Sequence, residues 1–110
     1  MNTIDTLIII IIVSSIAFHS PLLSSQDTSA LMREADLLWE YREEAGKVEA
    51  AIDIYKKVLS VNEKNYEACW KIARAYSSLG DRLPGTKETK NIRKETGRES
   101  MLFAKKAMEL

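Results

Sequence analysis

The sequence predicts an all-α protein of antiparallel helix hairpins stacked as a short solenoid, preceded by an apolar N-terminal segment. Three observations predict it. Between Gly46 and Gly80, two apolar-periodic stretches flank a four-residue polar break, and the glycines stand 34 residues apart. One helix-turn-helix unit of a repeat array has that length. Apolar residues in both stretches recur at steps of three and four, the spacing of a helix face. Charged residues make up 29% of a chain with only four Gly and two Pro, a composition that favours folded helices over disorder.

At the N-terminus, Leu7 to Phe18 is an apolar run of twelve residues broken only by Ser14 and Ser15. A bilayer-spanning helix needs about 20 such residues and a signal-peptide core roughly 7–15. Ser15-Ile16-Ala17 has the small-x-small form of a cleavage site. Residues 1–17 are therefore expected to be a cleaved export signal, giving a periplasmic or extracellular protein. The alternative is a membrane anchor through residues 7–18. The first six residues lack the Lys or Arg of an ordinary signal, and no cysteine follows the run to carry a lipid. Residues 18–29, rich in Ser, read as a linker.

A helical domain is expected over 30–110, with one repeat at 30–64 and a second at 65–110. Its first helix should run from near Ser29 to Ala45, with Leu31, Ala35, Leu38, Trp39 and Ala45 inward. The second buries Val48, Ala51, Ile52, Tyr55, Val58 and Leu59. Asn62-Glu63-Lys64-Asn65 breaks the pattern, and Asn65 is placed to cap the next helix. Cys69, Ile72, Ala73, Tyr76 and Leu79 form the third stripe, which Gly80-Asp81 should end. Ala51, Ala68, Ala73 and Ala75 would let antiparallel helices approach closely.

A shift of 34 residues brings Ala35 onto Cys69, Leu38 onto Ile72, Trp39 onto Ala73 and Gly46 onto Gly80. The copy of Ala51 to Val61 comes 49 residues on, with Ile52 on Met101, Ile54 on Phe103 and Val58 on Ala107. The extra 15 residues imply an insertion at 82–97, polar, with five bases against two acids and a Pro84-Gly85 turn signal. From Lys87 the chain forms a solvated turn or two, or leads straight into a last helix near Arg98 to Leu110. Stacked repeats need neighbours on their end faces, so either another chain covers that helix, as in a homo-oligomer, or the chain is a shortened relative of a longer repeat protein.

With the small and aromatic positions in place, the chain resembles the tetratricopeptide repeat family. Ala51, Tyr55, Ala73 and Tyr76 carry the resemblance, with Gly46 and Gly80 at inter-helix turns; Trp39, Arg42 and Glu63 depart from the pattern. Within that family Leu38-Trp39-Glu40-Tyr41-Arg42, the run Asn65 to Tyr76 and Ala104 to Leu110 are most similar to the periplasmic T component associated with TRAP transporters. The resemblance implies an exported helical scaffold that binds a periplasmic solute-binding protein, or a carrier of a small hydrophobic ligand.

Chemistry is sparse. Sixteen bases balance sixteen acids, so no global field recruits nucleic acid or a membrane surface. A single cysteine excludes a disulfide framework, and the one histidine, His19, lies outside the repeats. Cys69 has no base nearby in sequence to activate it and reads as a small buried residue. Glu40, Glu43 and Glu44 read as a solvated face. No metal spacing, phosphate loop or nucleophile with a base is present, so the chain is expected to be neither an enzyme nor a cofactor binder. Function is expected to be docking of another protein through Tyr41, Arg42, Trp70 and Arg74, aromatics and arginines exposed on the first helix of each pair. An arginine there could hold a carboxylate by two hydrogen bonds.

Overall fold

The computed structural model describes residues 25–110. Four helices follow one another: α1 (Ser25–Glu40), α2 (Lys47–Val61), α3 (Tyr66–Arg82) and α4 (Lys90–Met108). Among the described residues there is no strand. The expected signal or anchor at residues 1–17 lies outside them. Of the linker expected at 18–29, residues 18–24 also lie outside them, and Ser25 to Ser29 belong to α1. No helix among the described residues is long and apolar enough to cross a membrane.

The helices pack in chain order, α1 on α2, α2 on α3 and α3 on α4. The core between them is the periodic stripe: Ala35, Val48, Ala51, Ile52, Tyr55, Ile72, Ala73, Ala75 and Phe103 are buried in one cluster. Tyr55 and Ile72 are completely enclosed. Leu38, Trp39, Leu59, Tyr76 and Leu79 pack against its edge. Ala51, Ala68, Ala73 and Ala75 are all buried, as close helix approach requires.

Three local features fix the connections. Gly46 precedes α2 at φ 81°, in the left-handed region where a side chain would be strained. Asn65 caps α3, its side chain accepting from the Ala68 N–H at 2.9 Å. Gly80 departs from expectation. It does not end α3, which runs on to Arg82. Its role is close approach: a Cβ there would meet Thr96 Oγ1 at 2.7 Å, so a residue without a side chain lets α4 lie against α3. Ser100 Oγ then donates across the same contact to the Ala73 carbonyl at 2.8 Å.

Other boundaries also move. α1 stops at Glu40, and Ala45, expected inward, is exposed in the following turn. Tyr41 and Arg42 lie in that turn and not on the helix. Residues 90–97, expected as part of an insertion, are the first two turns of α4. The correspondence at a shift of 49 holds in burial for Val58 and Ala107 but fails for Ile52, which is buried, and Met101, which is 74% exposed.

Candidate functional site

The polar side chains converge where α1 and α3 lie on the same side of α2. Asp36 of α1 is the centre. The buried Tyr55 hydroxyl donates to its Oδ1 at 2.6 Å, and Lys71 Nζ donates to both carboxylate oxygens at 2.9 and 3.0 Å. Lys71 also donates to Glu67 one turn back, at 2.5 Å. Burial would by itself push Asp36 up. The hydrogen bonds from Tyr55 and Lys71, and the charges of Lys71 and Arg74, outweigh it and hold the carboxyl below its usual value. Burial likewise opposes the charge on Lys71, but the bonds to Glu67 and Asp36 prevail and raise its pKa. Burial, then the bond to Asp36, pushes the Tyr55 phenol well above its usual value.

Beside this joint sits a stack of arginine and indole. The Arg74 guanidinium lies 4.1 Å from the Trp39 ring centre and 5.0 Å from that of Trp70. Arg42 lies 4.8 Å from Trp39 and donates through Nη1 to the Trp39 carbonyl at 3.1 Å. Arg82, from the end of α3, donates to the Arg42 carbonyl and reaches Glu43 Oε1 at 3.3 Å. Trp39, Arg42, Glu43, Arg74, Ser77, Ser78, Asp81 and Arg82 thus line one shallow surface depression, three bases with two acids. Arg74 Nε is buried there, and among the described residues it has no hydrogen-bond partner. A guanidinium lying against an indole directs its in-plane N–H donors past the ring toward a planar acceptor, although that of Arg74 is also within reach of the Tyr55 hydroxyl.

Of the four residues expected to bind a partner, the structure brings Arg42, Trp70 and Arg74 together and leaves Tyr41 apart. Tyr41 borders a different depression with Leu37, Leu38, Glu44 and Lys47. Trp39, which links Arg42 to Arg74 while Arg74 reaches on to Trp70, was expected as packing. Its signal was present in the spacing: Trp39 and Arg42 are three apart and Trp70 and Arg74 four apart, both within reach on a helix face. Asp36, Tyr55 and Lys71 gave no such signal, because 19 and 35 residues separate the partners. Cys69 is buried as expected. Among the described residues no group of His, Cys, Asp and Glu is placed to hold a metal.

Residues 31–110 match the family model described as regulator of microtubule dynamics protein 1-3. The chain belongs to that family. This overturns the resemblance to the tetratricopeptide repeat family and to the TRAP-transporter T component. The reason is physical. Alanines at helix crossings and aromatics in the gaps between helices are what any close antiparallel pair requires, so Ala51, Tyr55, Ala73 and Tyr76 do not single out one family. No curated protein and no solved structure matches this chain.

Proposed function

We propose that this chain is a protein-docking scaffold, a short solenoid of helix hairpins whose α1–α3 depression takes an acidic segment of a partner protein. The reading is carried by one observation: a buried Arg74 Nε that has no hydrogen-bond partner among the described residues, on a guanidinium 4.1 and 5.0 Å from the centres of two indoles. A carboxylate entering the depression would accept two parallel hydrogen bonds from the Arg74 edge. Trp39 and Trp70 would lose water with it, which places the energy in a few desolvated aromatic and arginine anchors. Arg42 and Arg82 add positive charge around the site, and the Ser77 and Ser78 hydroxyls offer further donors.

The family is described by regulation of microtubule dynamics, so polymerised tubulin is the first partner to try. Co-sedimentation of the full chain with microtubules tests the proposal. Wild type should pellet with the polymer in a salt-sensitive manner. Arg74→Ala and Trp70→Ala should each lose roughly 30-fold in affinity, the loss expected of an anchor residue. Equal pelleting of Arg74→Ala and wild type would refute the assignment of this depression.

A further inference from the structure

A second surface property stands apart from the depression. Although the chain as a whole is neutral, its charge is separated between the two ends of the packing order. α1 holds Asp27, Glu34, Asp36 and Glu40 against one base, Arg33. α4 holds Lys90, Arg93, Lys94, Arg98, Lys105 and Lys106 against Glu95 and Glu99. Each helix also exposes large apolar side chains on the side away from the core. On α1 and the turn after it these are Leu37 and Tyr41, 54% and 55% exposed; on α4 they are Met101 and Leu102, 74% and 46% exposed.

Helical spacing puts charge and apolar surface on the same faces. Glu34 and Leu37 follow one another along α1, with Glu40 at its end and Tyr41 in the turn just after it, all exposed. Arg98, Met101, Leu102 and Lys105 do the same along α4. Among the described residues, neither Glu34 nor Glu40 forms an ion pair, and neither does Lys105; Arg98 pairs only with Glu95 on its own helix, at 2.9 Å. Glu44 and Lys47 border Leu37 and Tyr41 as well and offset each other, so Glu34 and Glu40 give that face its acidic sign, complementary to the basic face around Leu102 and alike in apolar content. They terminate opposite ends of one chain, since α1 packs on α2 and α4 on α3.

We propose that the outer face of α1 docks on the outer face of α4 of a second copy of this chain, giving head-to-tail association. The contact is heterologous: one chain offers α1 and the other α4, so each pair leaves a free face of each kind. Apolar burial of Leu37 and Tyr41 against Met101 and Leu102 supplies attraction, and the Glu34 and Glu40 charges facing Arg98 and Lys105 select the pairing. A two-fold contact of α4 with α4 is disfavoured, because it would set Arg98 and Lys105 against their own copies.

Sedimentation velocity of the full chain tests this, in a mild non-ionic detergent that shields the apolar run at residues 7–18. Two charge-reversed proteins are compared with wild type: Glu34→Lys with Glu40→Lys, and Arg98→Glu with Lys105→Glu. All four positions are exposed, and unchanged circular dichroism would confirm that the helices persist. Wild type should at least double its average mass at about 20 mM salt and lose the gain near about 0.5 M, where surface charges are screened. Each reversed protein alone should stay monomeric, and an equimolar mixture of the two should associate again. Monomeric wild type would overturn the proposal, as would a mixture that fails to associate. So would association abolished by the α4 reversal but indifferent to the α1 reversal, which would indicate an α4–α4 dimer. Arg74→Ala should leave the association unchanged, which separates this contact from the α1–α3 depression.

Discussion

Replacing Tyr55 by Phe removes a single oxygen from the centre of the fold, and it should lower stability by about 1–2 kcal/mol. The ring is completely buried, and phenylalanine fills the same space, so the change isolates the hydroxyl. That hydroxyl donates to a carboxylate at 2.6 Å, and hydrogen bonds to charged groups contribute roughly 1.5–3 kcal/mol. The lower part of that range applies, because the Asp36 side chain is 41% exposed and keeps Lys71 as a partner. Water can replace part of what is lost. Asp36→Ala should cost more, roughly 2–4 kcal/mol, since it strands the phenol and Lys71 without their shared acceptor. The double variant should then cost less than the sum of the two by about 1 kcal/mol or more. Urea unfolding followed by far-ultraviolet circular dichroism measures all four species. Strict additivity, or a Tyr55→Phe protein as stable as wild type, would refute the idea that this joint holds α1 to α2.

The same joint sets a pH dependence. Asp36 is held below its usual value, so its contribution is present at neutral pH and is lost as pH falls below about 4. Lys71 is raised, so its contribution persists until pH climbs above about 10.4. A midpoint series across pH should show both limbs, and Tyr55→Phe should shallow the acid one. Gly46→Ala should cost about 1–2 kcal/mol by denaturant midpoint: φ 81° strains any side chain, and no neighbour lies close enough to add a clash. Burial pushes the Cys69 thiol up, with Lys106 pulling weakly the other way. A disulfide reagent should therefore modify Cys69 at least about 100-fold more slowly in the folded chain than in urea.

Much of the helix pattern was legible in the sequence, for reasons that can be named. Val48, Ala51, Ile52, Tyr55 and Val58 repeat at helical steps, and all five are buried. Asn65 follows a polar break and caps α3 with its side chain. What was not legible depends on contacts distant in sequence. Gly80 looks like Gly46 shifted by 34, yet one ends a turn and the other makes room for Thr96 of α4. Nothing local distinguishes the two uses of glycine. Met101 falls where Ile52 falls in the internal comparison, but α4 has no helix beyond it among the described residues, so the position is exposed.

At the candidate site, Arg42, Trp70 and Arg74 were expected together as side chains of the first helix of each pair; Trp70 and Arg74 do lie on α3, and Arg42 lies in the turn after α1. Trp39 was assigned to packing alone, because its contact with Arg74 crosses from α1 to α3. Tyr41 was grouped with the others as an aromatic exposed on the first helix of its pair. The end of α1 at Glu40 turns the chain there, and Tyr41 joins Leu37 on the opposite side. The family could not be read from the small and aromatic positions, which report close helix packing and little else.

The chain has two tryptophans, and both lie against Arg74, so their emission reports directly on the proposed site. Titrating the full chain with an oligoglutamate peptide at low salt should give a saturable change in tryptophan fluorescence. Arg74→Ala should abolish it, while Lys57→Ala, an exposed charge on α2, should not. A flat signal from wild type, or the same curve from Arg74→Ala, would contradict the claim that this arginine and its two indoles receive a carboxylate.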